Sequence, residues 1–173
     1  MKRLVSIWLL FSESDSVYLG TIIKKLAKEY DAPEFYPHLT IYGGGLVMDV
    51  KEAEKITTEA VKDIDPFTIE MKKINFTANN IWKTVFIEVQ KHPMLDIIYE
   101  NLRRRLLVYK DYEFLPHTSL IYKNISEETK IEIIRNLTIK KTFLIDAIGI
   151  ASTEGNRNNA SSWKLLFKKN FKR

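Results

Sequence analysis

Two stretches far apart in the chain carry the same pattern. Phe35-Tyr36-Pro37-His38-Leu39-Thr40-Ile41 and Phe114-Leu115-Pro116-His117-Thr118-Ser119-Leu120 match at phenylalanine, proline, histidine, a hydroxyl residue and an aliphatic. The chain has only three histidines and five prolines, yet each copy takes one of each. Chance recurrence is a poor explanation, so the fold must place two equivalent segments in equivalent settings.

The order of the predicted elements repeats in the same way. Residues 3–11 alternate as a buried strand, and polar residues 12–16 introduce a helix through Val17, Leu19, Ile22, Ile23, Leu26 and Ala27. A short strand over 38–42 is expected to stop at Gly43-Gly44-Gly45, before a helix from Asp49 to Val61. Strands over 67–77 and 81–90 are read as a hairpin joined by Ala78-Asn79-Asn80. His92-Pro93 opens a helix through Leu107, a strand follows at 117–122, and Ser126-Glu127-Glu128-Thr129 starts another helix. Strands near 142–151 and 162–169 close the chain around the loop Glu154 to Asn159. The sum is an α+β fold in one domain over 1–173, with no linker or low-complexity segment.

Within each motif, strand geometry fixes what faces what. Side chains alternate, so His38 and Thr40 point one way, as do His117 and Ser119, while Leu39, Ile41 and Leu120 take the core side. Each proline sits at a strand entrance, where a missing N–H does little harm. Packing the two halves about a pseudo-twofold axis brings two imidazoles and two hydroxyls to one groove, a match for one tetrahedral phosphate. A neutral imidazole can take a proton from water while a protonated one gives a proton to a departing ribose oxygen. Histidine titrates near 6.5, so both states are accessible around neutrality, and each transfer is worth roughly 10²- to 10⁴-fold. The hydroxyls of Thr40 and Ser119 can hold the non-bridging oxygens. These expectations imply activity that is bell-shaped around neutral pH.

Other chemistries fit less well. Two histidines need a further ligand to hold a metal, and the third histidine, His92, is expected at the surface of a helix opening. With no cysteine, disulfides, thiolate metal sites and cysteine nucleophiles are excluded, a composition that fits a cytoplasmic protein. The glycine run lacks the Gly-Lys-Ser/Thr of a nucleotide triphosphate loop. Met1-Lys2-Arg3 before an apolar run mimics a signal peptide, but no small-residue cleavage site follows, and a first strand is expected instead. The net charge of +5 favours an anionic partner. Its clusters, Lys72-Lys73, Arg103-Arg104-Arg105 and the basic tail with Lys168-Lys169 and Lys172-Arg173, are expected to be solvated faces. A binding module without chemistry would be expected to lack one member of a pair, and both pairs are intact.

At His38-Leu39-Thr40-Ile41 and His117-Thr118-Ser119-Leu120 the chain resembles the 2H phosphoesterase superfamily, whose signature is two His-x-(Thr/Ser)-x motifs. It most resembles the plant- and yeast-type cyclic phosphodiesterases. Ser6-Ile7-Trp8-Leu9-Leu10 is similar to their first strand, Pro116-His117 with Ser119-Leu120 and Tyr122 to their second motif, Ile125 to Lys130 to a helix start, and Trp163 to a late strand tryptophan. The resemblance implies two pseudo-twofold-related lobes of antiparallel sheet with helices outside and a central cleft. It also implies no cofactor and opening of a cyclic phosphate to a phosphomonoester; no membrane partner is expected of a chain with no run of about eighteen apolar residues, and no obligatory protein partner is evident. The substrate would be a nucleoside 2′,3′-cyclic phosphate, an ADP-ribose 1″,2″-cyclic phosphate or an RNA end, with RNA-ligase-like action on 2′–5′ linkages as the alternative. It further implies that His117 activates water, that His38 protonates the leaving oxygen, and that Trp8 and Tyr122 line the cleft. Alternation alone puts Tyr122 on the wrong face, so a bulge or strand end is required. Trp82 is a candidate stacking surface or a buried strand residue. The family's plant members carry cysteines that this chain lacks, and the glycine run is not one of their features.

Overall fold

The computed structural model describes residues 1–154 and 160–172. Four helices and seven strands follow in the order β1 (Lys2–Phe11), α1 (Glu13–Glu29), β2 (Leu39–Asp49), α2 (Val50–Ala60), β3 (Phe67–Phe76), β4 (Val85–Val89), α3 (Pro93–Leu106), β5 (His117–Ile121), α4 (Glu127–Asn136), β6 (Thr142–Ser152) and β7 (Lys164–Asn170).

Local chemistry starts each helix where the sequence places it. The Ser12, Asp49 and Ser126 side chains accept from backbone N–H groups at the heads of α1, α2 and α4. His92 does the same for α3, with Pro93 in the first turn. The helices then bury stripes at helical spacing, such as Leu19, Ile23 and Leu26 on α1 and Leu95, Ile98, Leu102 and Leu106 on α3. Among the described residues no helix is long and apolar enough to cross a membrane. The signal-like N-terminal run is β1, buried throughout from Ile7 to Phe11.

All strand pairs are antiparallel, in the order β2-β1-β6-β3-β4-β5, with β7 also on β6. This order is a palindrome of the chain's two halves. β2-β1-β6 on one side corresponds to β5-β4-β3 on the other. Each half donates its third strand to the other lobe, so neither half completes its sheet alone. β3 joins the lobes, pairing with β6 through Phe67–Glu70 and with β4 from Met71 to Phe76.

Two local expectations fail. The glycines do not end the second strand. β2 runs through them to Asp49, and the register of β1 on β2 slips between Val5 and Ile7, leaving extra residues bulged on the β2 side. Gly44 and Gly45 take positive φ (70° and 97°), which lets the strand bulge and resume. The second failure is the link between β3 and β4, which is longer than a three-residue turn. Residues 81–83 form a 3₁₀ turn, with the Asn80 side chain capping Trp82 N–H at 2.9 Å, and the strand begins only at Val85. The loop expected from Glu154 to Asn159 lies, past Glu154, outside the described residues.

Candidate active site

The two histidines are held by the same device. His38 sits one residue before β2 and His117 is the first residue of β5. His38 Nδ1 is 2.7 Å from the Tyr36 carbonyl, and His117 Nδ1 is 2.6 Å from the Leu115 carbonyl. A carbonyl only accepts, so Nδ1 carries the proton in both rings and each neutral imidazole has its lone pair on Nε2. The strand contexts match as well. Thr40 is paired with Trp8 on β1, and Ser119 with Phe86 on β4, each beside a register slip. Trp8 stacks on His38 with ring centres 3.8 Å apart and planes at 14°, whereas Phe86 meets His117 edge-on at 5.5 Å.

Both histidines line one cavity of about 380 Å³. Thr40 lies in its wall, together with the hydroxyls of Ser6, Tyr112, Tyr122 and Thr153. The aromatic side is Trp8, Trp82 and Trp163, with Trp163 as the hub: it meets Trp8, His38, Trp82 and Tyr122 at 5.5–6.0 Å. Gly44, Gly45 and Leu4 complete the lining, with Lys83 as its one lysine or arginine and no carboxylate among the described residues. Tyr122 reaches the groove by both routes the alternation required, since β5 ends at Ile121 and its register on β4 slips between Val85 and Phe86. Trp8 is at once core, 2% exposed, and cavity wall.

Burial sets the electrostatics. It pushes the His38 imidazole down to about 4, against the smaller upward pull of the Tyr36 carbonyl. His117 is also lowered, first by burial and then by the Lys83 charge, with the Leu115 carbonyl opposing. Both rings are therefore neutral at pH 7. The Tyr112 and Tyr122 phenols are pushed up to about 12 by burial and remain donors.

Some expected site residues are placed elsewhere. Ser119 is buried and absent from the cavity wall, and its Oγ donates to the Trp82 carbonyl at 3.0 Å. A phosphate contact from Ser119 requires that bond to be exchanged. His92 caps α3, accepting from Met94 N–H at 3.2 Å, and stacks on Phe67. Among the described residues no group of three or more histidine, aspartate or glutamate side chains is placed to hold a metal ion. Lys72 and Lys73 both pair with Glu88 and lie outside the wall. Trp82, taken as a strand residue or a stacking surface, stands on the 3₁₀ turn in the wall and is 36% exposed. Tyr112 and Thr153 escaped the sequence reading altogether. They come from segments with no motif, and only the fold brings them to the groove.

The 2′-5′ RNA ligase superfamily matches the chain over residues 19–157. The chain belongs to that family, the 2H phosphoesterases. A cyclic phosphodiesterase of Arabidopsis thaliana is 24% identical over 129 residues, 75% of this chain and 70% of the relative. LigT of E. coli, in a crystal structure with 3′-AMP, covers 100% of both chains with a TM-score of 0.67 at 12% identity. A protein of Thermus thermophilus covers 99% of this chain and 98% of its own, with a TM-score of 0.64 at 13% identity. At such identities these structures establish the fold, which is the bilobal α+β architecture the resemblance implied.

Proposed function

We propose that this phosphoesterase hydrolyses a ribose cyclic phosphate, either a nucleoside 2′,3′-cyclic phosphate or an ADP-ribose 1″,2″-cyclic phosphate, to a phosphomonoester without a metal. The observation that carries the reading is the matched pair of Nδ1–H bonds, which leaves two Nε2 lone pairs at one cavity with no carboxylate among its described wall residues. One Nε2 takes a proton from water as its oxygen bonds to phosphorus. The other, protonated, gives its proton to the ribose oxygen as the phosphorus–oxygen bond breaks.

Both rings are neutral at pH 7, so binding of the anionic substrate must bring one imidazolium into existence. Burial resists that charge at both rings, and more strongly at His38. Trp8 lies face to face with it, and a ring face attracts a cation. Lys83 opposes a positive charge on His117. The family resemblance implies His117 as base and His38 as acid, and this is the assignment we propose. Thr40 donates to a non-bridging oxygen, and Trp8 and Tyr122 bound the site. Ser119 contributes either a second such donor, by releasing Trp82, or the placement of that residue's turn.

A second reading, action on RNA ends of the 2′–5′ ligase type, uses the same residues and draws support from the family match. The wall favours a small substrate: of Lys72, Lys73, Lys83 and Arg103 to Arg105, only Lys83 lines the cavity. We place the protein in the cytoplasm on its cysteine-free composition.

The deciding experiment is hydrolysis of 2′,3′-cyclic AMP in excess EDTA by wild type, His38→Ala and His117→Ala. Turnover that survives EDTA and falls at least about 10²-fold in each variant is expected. Loss of turnover in EDTA would refute the two-histidine mechanism. Steep loss of affinity for an RNA end with rising salt, against little change for the mononucleotide, would move the substrate to RNA.

A further inference from the structure

The two halves of the site match in topology but not in chemistry. In the first half Thr40 stands in the cavity wall. In the second, the equivalent Ser119 is buried behind it with its hydroxyl on the Trp82 carbonyl. The residue after Trp82 is Lys83, and it does line the cavity.

Lys83 is half-buried and forms no ion pair among the described residues. Other lysines beside this region are engaged. Lys72 and Lys73 hold Glu88, Lys123 holds the Asp31 carbonyl and carboxylate, and Lys130 holds the Thr77 and Ala78 carbonyls. The turn that presents Lys83 is fixed from every side. Its N–H donates to Asn80 O at 3.0 Å, and its carbonyl accepts from Thr77 Oγ1 at 2.8 Å and Thr77 N–H at 3.1 Å. Thr84 Oγ1 lies 2.9 Å from both the Ile81 and Lys123 carbonyls. A lysine presented by a fixed turn at a cavity with no carboxylate among its described wall residues is a site for an anion.

We propose that Lys83 is the second phosphate-contacting group beside Thr40, donating to the non-bridging oxygen on the second-motif side, and that Ser119 is the positioning residue for the turn that carries it. The inference rests on the reading that the cavity takes a phosphodiester. It gives the site an asymmetry that the repeated motifs do not show: a hydroxyl donor on the His38 side and a full positive charge on the His117 side. That charge opposes the negative charge gathering on the phosphoryl oxygens as water attacks.

Three variants test it: Lys83→Met, Lys83→Arg and Ser119→Ala, each first checked for a wild-type thermal melt. Inorganic phosphate is the probe, titrated by NMR of the histidine ring protons, with turnover of 2′,3′-cyclic AMP measured alongside. Lys83→Met should weaken phosphate binding and lower kcat/KM by about 10- to 100-fold each, as for loss of one charged hydrogen bond. Lys83→Arg should recover most of both. In ligand-free Lys83→Met the His117 imidazole should titrate at higher pH than in wild type, a shift that a merely structural lysine would not produce. Phosphate affinity equal to wild type in Lys83→Met overturns the proposal. So does a loss in Ser119→Ala with the ligand-free His117 titration unmoved, because the turn would then be undisturbed and Ser119 itself the ligand. If the wild type binds phosphate but leaves cyclic AMP intact, the substrate reading fails while the phosphate titration still decides Lys83.

Discussion

His38 ties the stability of the fold to pH, and the size of the effect can be worked from its burial. The ring is 5% exposed, stacked under Trp8, and lowered from an ordinary 6.5 to about 4. In the unfolded chain the imidazole binds a proton as the pH falls through 6.5; in the folded protein it resists until about 4. The unfolded state therefore takes up the proton first. The stabilisation is complete above pH 6.5 and is lost progressively as the pH drops towards 4. A shift from 6.5 to about 4, at about 1.4 kcal/mol per pH unit, makes the loss on the order of 3 kcal/mol by pH 4. The assay is urea unfolding followed by tryptophan fluorescence at several pH values between 7 and 4, for wild type and His38→Gln. The variant's absolute stability differs through packing, so the quantity to compare is the pH slope. Wild type should lose about 3 kcal/mol more than His38→Gln over this range. Parallel curves would refute the reasoning, because they would mean that His38 titrates alike in both states and that its burial is not felt by its charge.

The same shifts move the rate profile. With both imidazoles lowered, the singly protonated pair is most populated on the acid side of 6.5, so the kcat/KM bell should be centred there rather than at neutrality; a centre at or above pH 7 would contradict the burial of both rings. Gly44→Ala adds a Cβ that meets Tyr112 Cδ2 at 3.0 Å on a backbone with φ of 70°. It should cost roughly 1–3 kcal/mol in denaturant unfolding and raise KM through displacement of Tyr112, and wild-type stability would show that the bulge is not held as described. Lys130 is 4% exposed, and Lys130→Met removes the ammonium that donates to the Thr77 and Ala78 carbonyls at 2.9 Å. The two orphaned acceptors should cost about 2–4 kcal/mol, read as a fall in Tm, with turnover reduced through the turn bearing Trp82 and Lys83; an unchanged Tm would count against that anchor.

Much of this protein is legible in short stretches of chain. The caps at Ser12, Asp49, His92 and Ser126 act on N–H groups two or three residues away, so the helix starts follow from local sequence. Strand alternation places Leu39 and Ile41 in the core, with His38 and Thr40 towards the groove. The repeat of the motif, with its histidine bonded to the carbonyl two residues back, is likewise local, and it identified both imidazoles before any fold was known. The limits of this reading fall where the chain departs from regular period. The glycine run reads as a strand breaker, yet β1 carries β2 through it as a bulge, since pairing with a neighbour outweighs a local preference for ending. Tyr122 lies on the wrong face by counting and on the right one after a register slip and a strand end.

The second hydroxyl illustrates the division most sharply. Sequence makes Thr40 and Ser119 equivalent, but the 3₁₀ turn packed beside β5 occupies the Ser119 hydroxyl and puts Lys83 in the wall. That turn has no counterpart in the repeated motif. Nor does any local pattern announce Tyr112 or Thr153, and Trp163, similar to the family's late strand tryptophan, becomes the aromatic hub only in the fold; the three reach the cavity from separate segments. Periodicity within one element fixes which way a side chain points from its own backbone. Which elements then meet is decided by non-local strand pairing, here the exchange of β3 and β6 between lobes. The sequence alone therefore determined the pair of histidines and the chemistry open to them. Only the tertiary structure decided what surrounds them, because burial, charge and donors at the cavity come from residues whose proximity is set by the closure of the whole sheet.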